Sequence, residues 1–171
     1  VWEQRCSTIV MLCQTVETGK AKCAQYWPER AGQKAVYGGI NVETMDAGQR
    51  NVQDHFICMS VLRVSEGRNS RTLIHFLHQS WPDRKCPPST YPIIEFLVRV
   101  HLIQQQICGR NGTTPDKSPM LVHCSAGIGR TGTFLAIDIA LNLLNRHDAV
   151  NVKELVRLIR RQRALALPTP A

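Results

Sequence analysis

The sequence predicts an α/β fold in which a mixed, twisted β-sheet is flanked by α-helices. Short apolar and β-branched runs, such as residues 7–13, are typical of buried strands. Residues 93–107 and 133–145 carry apolar side chains at helical spacing. A strand, a glycine-rich turn and a helix also follow one another directly between Met120 and Asn145, an order typical of sheets covered by helices. The 171 residues are enough for one domain with a sizeable core.

The first part of the chain is predicted to be mainly β-structure. Residues 7–13 are expected to form a buried strand that ends at Gln14, and a tight turn is expected over residues 16–20. Two β-rich segments, residues 52–64 and 72–78, are separated by a short charged stretch. They therefore predict an antiparallel hairpin.

A loop with stiff ends follows the second strand of this hairpin. It begins with Trp81-Pro82-Asp83, and Pro87-Pro88 lies a few residues further on. Because proline restricts φ, both ends of this loop are constrained, and the segment between them can close as a lid. The sequence therefore predicts that Asp83 is carried by a movable lid.

The last part of the chain is predicted to contain three helices and one strand. The first helix ends near Gly109 and is indicated by Ile93, Leu97, Val100, Ile103 and Ile107. Residues 120–122 are expected to be a buried central strand of the sheet, and residues 133–145 the helix after it. Asn151, followed three residues later by Glu154, predicts the N-terminal cap of the last helix.

The segment from Cys124 to Arg130, here called the phosphate cradle, joins that strand to its helix. Between its two ends lie Ser125, Ala126, Gly127, Ile128 and Gly129. Small and flexible residues let their backbone N–H groups curl inward around an anion, and the N-terminus of the following helix adds its positive end. The segment is therefore predicted to bind a phosphate group above a cysteine thiol.

The ends of the phosphate cradle suit nucleophilic attack on a phosphate ester. A free cysteine has a pKa of about 8.5, and a helix N-terminus beside an arginine lowers it to roughly 3.5–7.5, so Cys124 is expected to be ionised. The guanidinium fork of Arg130 matches two phosphoryl oxygens and can stabilise charge during transfer. The neighbouring Thr131 hydroxyl can donate to the thiolate when it leaves a phosphocysteine.

Two other interpretations fit parts of this segment. An isolated buried cysteine is most often a small apolar side chain. Gly127-x-Gly129-x-x-Gly132 also matches a dinucleotide-binding pattern, which needs an acid about 20 residues further on, at the end of a second strand. The nearest acid, Asp148, lies instead between two helical patterns. The spacing of five residues between Cys124 and Arg130 favours the phosphate cradle.

In these residues the chain resembles the tyrosine-specific branch of the protein tyrosine phosphatases. Residues 123–134, His-Cys-Ser-Ala-Gly-Ile-Gly-Arg-Thr-Gly-Thr-Phe, are similar to the nucleophile loop of that family. Trp81-Pro82-Asp83 and Lys22-Cys23-Ala24-Gln25-Tyr26-Trp27-Pro28 match two further motifs in the family's order. The resemblance covers essentially the whole chain. It implies the cysteine-phosphatase architecture, in a single partial catalytic domain over residues 1–171.

The resemblance also implies roles for residues around the phosphate cradle. Asp83 would protonate the leaving phenolate, a contribution of about 10²–10⁴ in rate, and would later act as a base. Lys22 is expected near Asp83, and Trp81 is expected to support the lid. The remaining implied helpers are Glu17, which would hold Arg130, and His123, which would orient or tune the Cys124 thiolate rather than act as a base.

Two residues depart from the family's pattern. Lys85 stands where the family usually has glycine, and lysine reaches positive φ only at a cost, so lid closure is expected to be altered. Pro168 stands where the family has a glutamine that positions the water attacking phosphocysteine. We therefore expect slow turnover with trapped phosphoenzyme. The family's domain is longer, and its loop that sandwiches the substrate ring would precede Val1, so the chain is expected to be shortened at both ends.

Composition indicates in which compartment, and with which kinds of partner, this chemistry is expected. The last helix carries part of the net charge of +8, on Arg157, Arg160, Arg161 and Arg163. Few aromatic residues lie among these arginines, which favours a solvated face over a nucleic-acid surface. The chain has no apolar run near the roughly 18 residues of a membrane span. Seven cysteines, without a C-x-x-C pair, argue against a disulfide framework and a zinc site. We expect a cytoplasmic protein, or the intracellular part of a receptor-type protein, with no metal, no cofactor and no membrane contact.

The function implied is hydrolysis of phosphotyrosine in proteins through a cysteinyl-phosphate intermediate. A pseudophosphatase that only binds phosphotyrosine is the alternative favoured by Lys85, Pro168 and the missing recognition loop. The intact Cys124, Asp83 and Arg130 oppose it. A dual-specificity phosphatase is suggested by the short length and by the missing loop that sandwiches the substrate ring. The lysine-cysteine motif and the Trp-Pro-Asp lid argue against it.

Overall fold

The computed structural model describes residues 1–48, 57–83, 85–87, 89–110, 118–147 and 149–168. The first strands are β1 (Thr8–Met11), β2 (Val16–Glu17), β3 (Lys20–Ala21), β4 (Lys34–Tyr37) and β5 (Ile40–Asp46). They are followed by β6 (Ile57–Glu66), β7 (Asn69–His78), α1 (Tyr91–Arg110), β8 (Met120–His123), α2 (Arg130–His147) and α3 (Val152–Gln162). The predicted α/β class is confirmed.

Six strands of the described residues form one mixed sheet in the order β4-β5-β6-β7-β1-β8. The strands from β4 to β7 pair antiparallel, whereas β7, β1 and β8 run parallel to one another. The carboxyl ends of parallel strands lie at the same edge of a sheet, which is where ligands bind in such sheets. Here those ends lead into three segments that sequence alone separates widely: the lid after β7, the β2–β3 turn after β1, and the phosphate cradle after β8.

The helices α1 and α2 are attached to the sheet by a row of phenylalanine rings. Phe76 of β7, Phe96 of α1 and Phe134 of α2 are each fully buried. The ring centroids of Phe76 and Phe96 lie 5.9 Å apart, as do those of Phe96 and Phe134. Burying one such side chain contributes about 1.5–3 kcal/mol, so this row holds the helix that starts at the cradle against the strand that leads to the lid.

The prediction of a central strand before Cys124 was wrong in its position within the sheet. Among the described residues β8 has one neighbour, β1, and stands last in the strand order. All four residues of β1 are buried, whereas all four of β8 are half-buried. A short apolar run looks the same in both positions, because the residues do not reveal how many neighbours a strand has.

Other element boundaries differ by a few residues. The helix α2 starts at Arg130, three residues before its apolar pattern, and α1 continues through Gly109 to Arg110. The predicted cap is confirmed, because the Asn151 side chain accepts a 3.2 Å hydrogen bond from the Glu154 backbone N–H. The predicted hairpin is present as β6 and β7, and residues 52–56 of its first segment lie outside the described residues.

The sequence interpretation missed the β4–β5 hairpin. Gly38 and Gly39 join the two strands with φ angles of 56° and 88°, which glycine adopts readily. Gly-Gly between two β-branched runs is a signal for a tight hairpin, so this element was predictable.

Candidate active site

The phosphate cradle begins where β8 ends. Cys124 follows His123 directly, is 7% exposed, and lies beside the first turn of α2. Gly127 has φ 69°, a backbone conformation that other residues adopt only with strain, and this reverses the chain between strand and helix. The strand and the helix N-terminus therefore hold the two ends of a short turn over the thiol.

The surroundings of the Cys124 thiol favour its ionised form. Burial raises the pKa, but hydrogen bonds from the Thr131 side chain and from the backbone of Thr131 and Gly127, with the positive charge of Arg130, lower it below its ordinary value. The Thr131 hydroxyl is buried and makes no hydrogen bond of standard geometry among the described residues. It is therefore available to the sulfur.

Arg130 is held from behind by a two-point ion pair. Its Nη1 and Nη2 atoms lie 2.6 Å and 3.0 Å from Glu17 Oε1 and Oε2, and Nη1 donates a 3.1 Å hydrogen bond to the carbonyl oxygen of Trp81. Burial lowers the pKa of Arg130, but the hydrogen bonds and the negative charge of Glu17 raise it by more than burial lowers it. The pKa of Arg130 is therefore above its ordinary value. The guanidinium is thus a fixed positive charge beside the thiol.

The lid lies against this arginine. Asp83 Oδ1 is 3.3 Å from Arg130 Nη2, and Asp83 Oδ2 is 2.5 Å from Lys22 Nζ. Trp81 is 5% exposed, and its indole N–H donates a 3.1 Å hydrogen bond to the carbonyl oxygen of Lys85. The acid on the lid and the two cations around it therefore meet above the phosphate cradle.

Lys85 does not show the backbone strain that the sequence interpretation expected. It is absent from the described residues that have a positive φ, which besides glycines are Arg5, Thr18, Leu165 and Leu167. Its backbone N–H instead closes a turn onto the carbonyl oxygen of Pro82 at 3.4 Å. In this turn a lysine fits without the conformational cost that was the reason for expecting altered closure.

His123 contacts the backbone of Cys124. Its Nδ1 atom lies 3.1 Å from the carbonyl oxygen of Cys124, and its Nε2 atom lies 2.7 Å from the Tyr26 hydroxyl. Burial lowers the pKa of His123, so the neutral imidazole is favoured at pH 7. The ring thus links the Cys124 peptide group to Tyr26.

The outer side of the phosphate cradle is bound by the segment after α3. Arg163 Nε donates a 2.7 Å hydrogen bond to the carbonyl oxygen of Gly127, and the Leu167 backbone N–H donates one of 3.0 Å to that of Ile128. Arg163 Nη2 also lies 3.4 Å from the carbonyl oxygen of Ala126. Arg163 is exposed, as the prediction of a solvated face implies, and it nevertheless binds loop carbonyls, which a pattern of charges does not reveal.

The structure thus brings together all the side chains that the sequence singled out at this edge: Glu17, Lys22, Trp81, Asp83, His123, Cys124, Arg130 and Thr131. The sequence interpretation did not select Tyr26, Arg163 or His75, whose Nε2 atom lies 2.8 Å from the Tyr26 hydroxyl. Tyr26 lies inside the lysine-cysteine motif, which was a usable signal, whereas no pattern marked His75.

Two further features concern the described residues as a whole. In these segments no group of three or more His, Cys, Asp or Glu side chains is arranged to hold a metal ion. None of the helices in the described ranges has the length and apolar character needed to cross a membrane.

Comparison with known proteins shows that the chain is similar to tyrosine phosphatases. The family model described as protein-tyrosine phosphatase matches residues 1–171. The chain is 37% identical over 174 residues to tyrosine-protein phosphatase non-receptor type 9 of Rattus norvegicus, and 35% identical over 172 residues to the non-receptor type 2 enzyme of Mus musculus. It is also 36% identical over 169 residues to receptor-type tyrosine-protein phosphatase F of Danio rerio. Each match covers 99% of this chain, which spans 29%, 40% and 8% of the length of these relatives, respectively.

Proposed function

Because the chain belongs to the protein-tyrosine phosphatase family, we propose that it hydrolyses phosphotyrosine in proteins through a cysteinyl-phosphate intermediate. The observation that carries this proposal is the convergence of three groups. The Cys124 thiol has a lowered pKa, Arg130 is fixed by Glu17, and Asp83 lies 3.3 Å from Arg130. A nucleophile, an anion-binding fork and an acid at one site are the groups that cleavage of a phosphate monoester requires.

In the first step the Cys124 thiolate attacks phosphorus, and the bond from phosphorus to the phenolic oxygen breaks. The Arg130 fork and the inward N–H groups of the phosphate cradle hold the non-bridging oxygens as charge is redistributed. Asp83 gives its proton to the departing phenolate, so that tyrosine leaves as a neutral phenol. The products of this step are the phosphocysteine and the Asp83 carboxylate.

In the second step water attacks the phosphorus of the phosphocysteine, and the sulfur–phosphorus bond breaks. Asp83, now ionised, takes the proton from the water. The Thr131 hydroxyl donates a hydrogen bond to the sulfur as it leaves as a thiolate, which its position in the first turn of α2 supports. Inorganic phosphate is released, and Asp83 ends the cycle protonated.

The residue at position 168 is the reason for expecting the second step to be slow. Pro168 is exposed and directly follows Leu167, whose backbone N–H binds the phosphate cradle. A proline there offers no amide to hold the attacking water. This same observation favours the alternative function, a phosphotyrosine-binding module that captures the phosphoryl group and releases it poorly.

The surroundings we propose are the cytoplasm and its phosphotyrosine-containing proteins, with no role in binding nucleic acid. All seven cysteines are free thiols, including the buried Cys13, Cys108 and Cys124. Free thiols persist in a reducing compartment, and a nucleophilic thiolate depends on one.

Phosphate release from phosphotyrosine and phosphothreonine peptides tests this function. We expect release from phosphotyrosine peptides by the wild-type chain and none by Cys124→Ser. Cys86→Ser is the matched control, because Cys86 is an exposed thiol on the lid segment, and it should keep wild-type activity. Release that persists in Cys124→Ser would overturn the enzymatic proposal, and comparable release from phosphothreonine would support a dual-specificity enzyme instead.

A further inference from the structure

Gln14 connects the segment that carries Glu17 to the segment that leads into the lid. It lies between β1 and β2, and its backbone N–H donates a 3.1 Å hydrogen bond to Glu17 Oε1. Its side-chain Nε2 donates a 3.2 Å hydrogen bond to the carbonyl oxygen of Gln79, the first residue after β7. One residue thus contacts both the carboxylate behind Arg130 and the start of the segment that carries Asp83.

These two contacts complete a ring of hydrogen bonds. Glu17 Oε1 also accepts from Arg130 Nη1 at 2.6 Å, and the same Nη1 donates to the carbonyl oxygen of Trp81 at 3.1 Å. Trp81 lies two residues after Gln79, so the chain itself closes the ring. Residues 79–81, here called the lid entry, therefore have two carbonyl groups held by donors that both bind Glu17.

The two held carbonyls differ in the groups on which they depend. The Trp81 carbonyl is bound by Arg130, whose Nη2 also lies 3.3 Å from Asp83, so this contact belongs to the lid in its position over the phosphate cradle. The Gln79 carbonyl is bound by Gln14, which belongs neither to the lid nor to the phosphate cradle. The bond between Gln14 and Gln79 can therefore persist when Asp83 moves away from Arg130.

The strand register explains why a glutamine side chain reaches this carbonyl. All four residues of β1 pair with β7, and the last pair is Met11 with Leu77. Two residues further along both strands, Gln79 comes level with Cys13, which directly precedes Gln14. A carbonyl oxygen can only accept, and the Gln14 amide is a donor on a side chain of suitable length. Gln14 is exposed, so this hydrogen bond and not apolar packing is what its side chain contributes.

We infer that Gln14 is a positioning residue for the lid: its side-chain amide holds the Gln79 carbonyl and fixes the point about which the lid turns. A hinge of this kind absorbs the change in φ and ψ in a few residues at the end of a structural element. With the hinge fixed at Gln79, Asp83 returns to one place beside Arg130. The catalytic part of this inference rests on the proposed phosphatase function, whereas the fixed hinge does not.

The first test is independent of activity. Trp81 is 5% exposed, and its indole N–H donates to the carbonyl oxygen of Lys85, so exchange of this hydrogen with solvent requires the lid entry to move. In Gln14→Met, which keeps the side-chain length but has no donor, we expect this exchange, measured by NMR, to be about fivefold faster, because one hydrogen bond is lost. The indole N–H of Trp27, which is 6% exposed, is the internal reference and should be unaffected.

The second test uses steady-state kinetics. In Gln14→Met we expect kcat on phenyl phosphate to fall by about fivefold with little change in KM, because Asp83 is placed less well while Arg130 keeps its bonds to Glu17. The loss should be smaller on p-nitrophenyl phosphate, whose leaving group needs less protonation. Gln14→Lys should retain the wild-type kcat and exchange rate, since its ammonium group is again a donor. Each variant keeps the backbone N–H that binds Glu17, so the side chain alone is tested.

Gln33→Met is the matched control. Gln33 is also an exposed glutamine whose side chain makes one hydrogen bond, accepted at 3.3 Å from the Arg30 backbone N–H, and it precedes β4 at the other end of the strand order. Its replacement should change neither exchange at Trp81 nor kcat. If Gln14→Met did not fold, Gln14→Ser, whose side chain is too short to reach Gln79, would take its place with the same expectations.

Three outcomes would overturn the inference. The first is unchanged exchange at Trp81 in folded Gln14→Met, even if the chain is an active phosphatase. The second is equal impairment of Gln14→Met and Gln14→Lys. The third is an equal loss of kcat on both substrates, which would show that Gln14 supports Arg130 and not the lid. Faster exchange at Trp81 in a chain that hydrolyses no aryl phosphate would instead support the fixed hinge and contradict the proposed function.

Discussion

Glu17 and Arg130 lie 113 residues apart in the sequence, yet their side chains form two parallel hydrogen bonds of 2.6 Å and 3.0 Å. Their side chains are only 12% and 5% exposed. Two charges removed from water in this way are stable only as a pair, so the orientation of the Arg130 guanidinium depends on a residue of β2.

Replacing Glu17 by glutamine should therefore damage both stability and catalysis. The glutamine amide group repels one guanidinium N–H and leaves a buried positive charge without its counter-charge. We expect the free energy of unfolding to fall by about 3 kcal/mol. We also expect kcat/KM on an aryl phosphate to fall by about 10²-fold, because Arg130 is misplaced.

Urea denaturation and steady-state kinetics measure these two effects. Glu43→Gln is the matched control: Glu43 of β5 pairs with the more exposed Arg63 and Lys34, at 3.1 Å and 3.6 Å. Its loss should cost less than about 1 kcal/mol and leave kinetics unchanged. Equal behaviour of the two variants would contradict the role given to Glu17.

The ionisation of Cys124 provides a pH-dependent test. The Thr131 hydroxyl lowers the pKa of this thiol, so the thiolate is present above that pKa and is lost as the pH falls through it. In Thr131→Val the hydroxyl is replaced by a methyl group, and the pKa of Cys124 should rise. The pH profile of inactivation by iodoacetamide should therefore move to higher pH, with turnover at neutral pH lower by about tenfold.

Thr133→Val is the control for this substitution, because Thr133 lies one half-turn further along α2 and is half-buried. Its inactivation profile should match that of the wild-type chain. The folded-state pKa of Cys124 is below its unfolded value, so ionisation contributes to stability above the unfolded pKa. That contribution is lost as the pH falls through the folded pKa. An unshifted profile in Thr131→Val would show that the hydroxyl does not stabilise the thiolate.

Asp83 should matter most for substrates with poor leaving groups. We expect Asp83→Asn to lower kcat on phenyl phosphate by about 10²–10³-fold, because the amide cannot supply the proton that the phenolate needs. The loss should be smaller on p-nitrophenyl phosphate, whose leaving group needs less protonation. An equal loss on both substrates would argue that Asp83 acts through binding alone.

Lys85→Gly tests whether the lysine in the lid impedes its closure. Because Lys85 has no positive φ in the structure, glycine relieves no strain there and adds chain entropy to the unfolded state. Lys85→Gly should therefore give no gain in kcat. A clear increase would restore the interpretation that lysine impedes lid closure.

How much of this site was predictable depends on how its parts are connected. The phosphate cradle and its helix are contiguous, so residue types and spacing were enough to single out Cys124, Arg130 and Thr131 as candidate site residues. Glu17, Lys22 and Asp83 were placed only by resemblance, since their meeting depends on the parallel order of β7, β1 and β8. Local patterns do not encode strand order.

The features that sequence could not reveal involve backbone groups and strand register. The Arg163 bond to the Gly127 carbonyl joins a helix end to a turn, and every residue has such a carbonyl, so no residue type indicates it. His75 is one of several histidines in apolar strands, and only the register with Ile9 gives it a direction. In the same way, the edge position of β8 followed from pairing and not from composition.

The two chemical steps should separate in time. Since Pro168 offers no amide to the attacking water, we expect a burst of phenol close to one equivalent of enzyme, followed by a slower steady rate. Pro168→Gln should raise the steady rate and leave the burst unchanged. Rapid-quench kinetics with an aryl phosphate measure both phases.

Ala164→Gln serves as the control for this substitution, because it adds the same amide at an exposed position of the same segment and should have no effect. A linear time course with full turnover from the first second would contradict slow hydrolysis. It would also remove the main reason for considering the pseudophosphatase alternative.

Arg163 should support the phosphate cradle from its outer side. Its Nε–H and Nη2 groups reach the carbonyl oxygens of Gly127 and Ala126 at 2.7 Å and 3.4 Å. A peptide group whose carbonyl is held outward presents the N–H of the next residue inward, toward a bound phosphoryl group. A Cβ added at Gly127 would lie 2.8 Å from Arg163 Nη2, which shows how closely the arginine packs on the turn.

Arg163→Lys keeps the charge but loses the fork, since an ammonium cannot reach two carbonyls with the same geometry. We expect kcat/KM on an aryl phosphate to fall by about tenfold and inhibition by vanadate to weaken to a similar degree. Arg161→Lys, near the end of α3, is the control, because Arg161 is exposed and its replacement should change neither quantity. If vanadate binds Arg163→Lys as tightly as the wild-type chain, the carbonyls do not depend on this fork. The inward orientation of the N–H groups would then be a property of the turn itself.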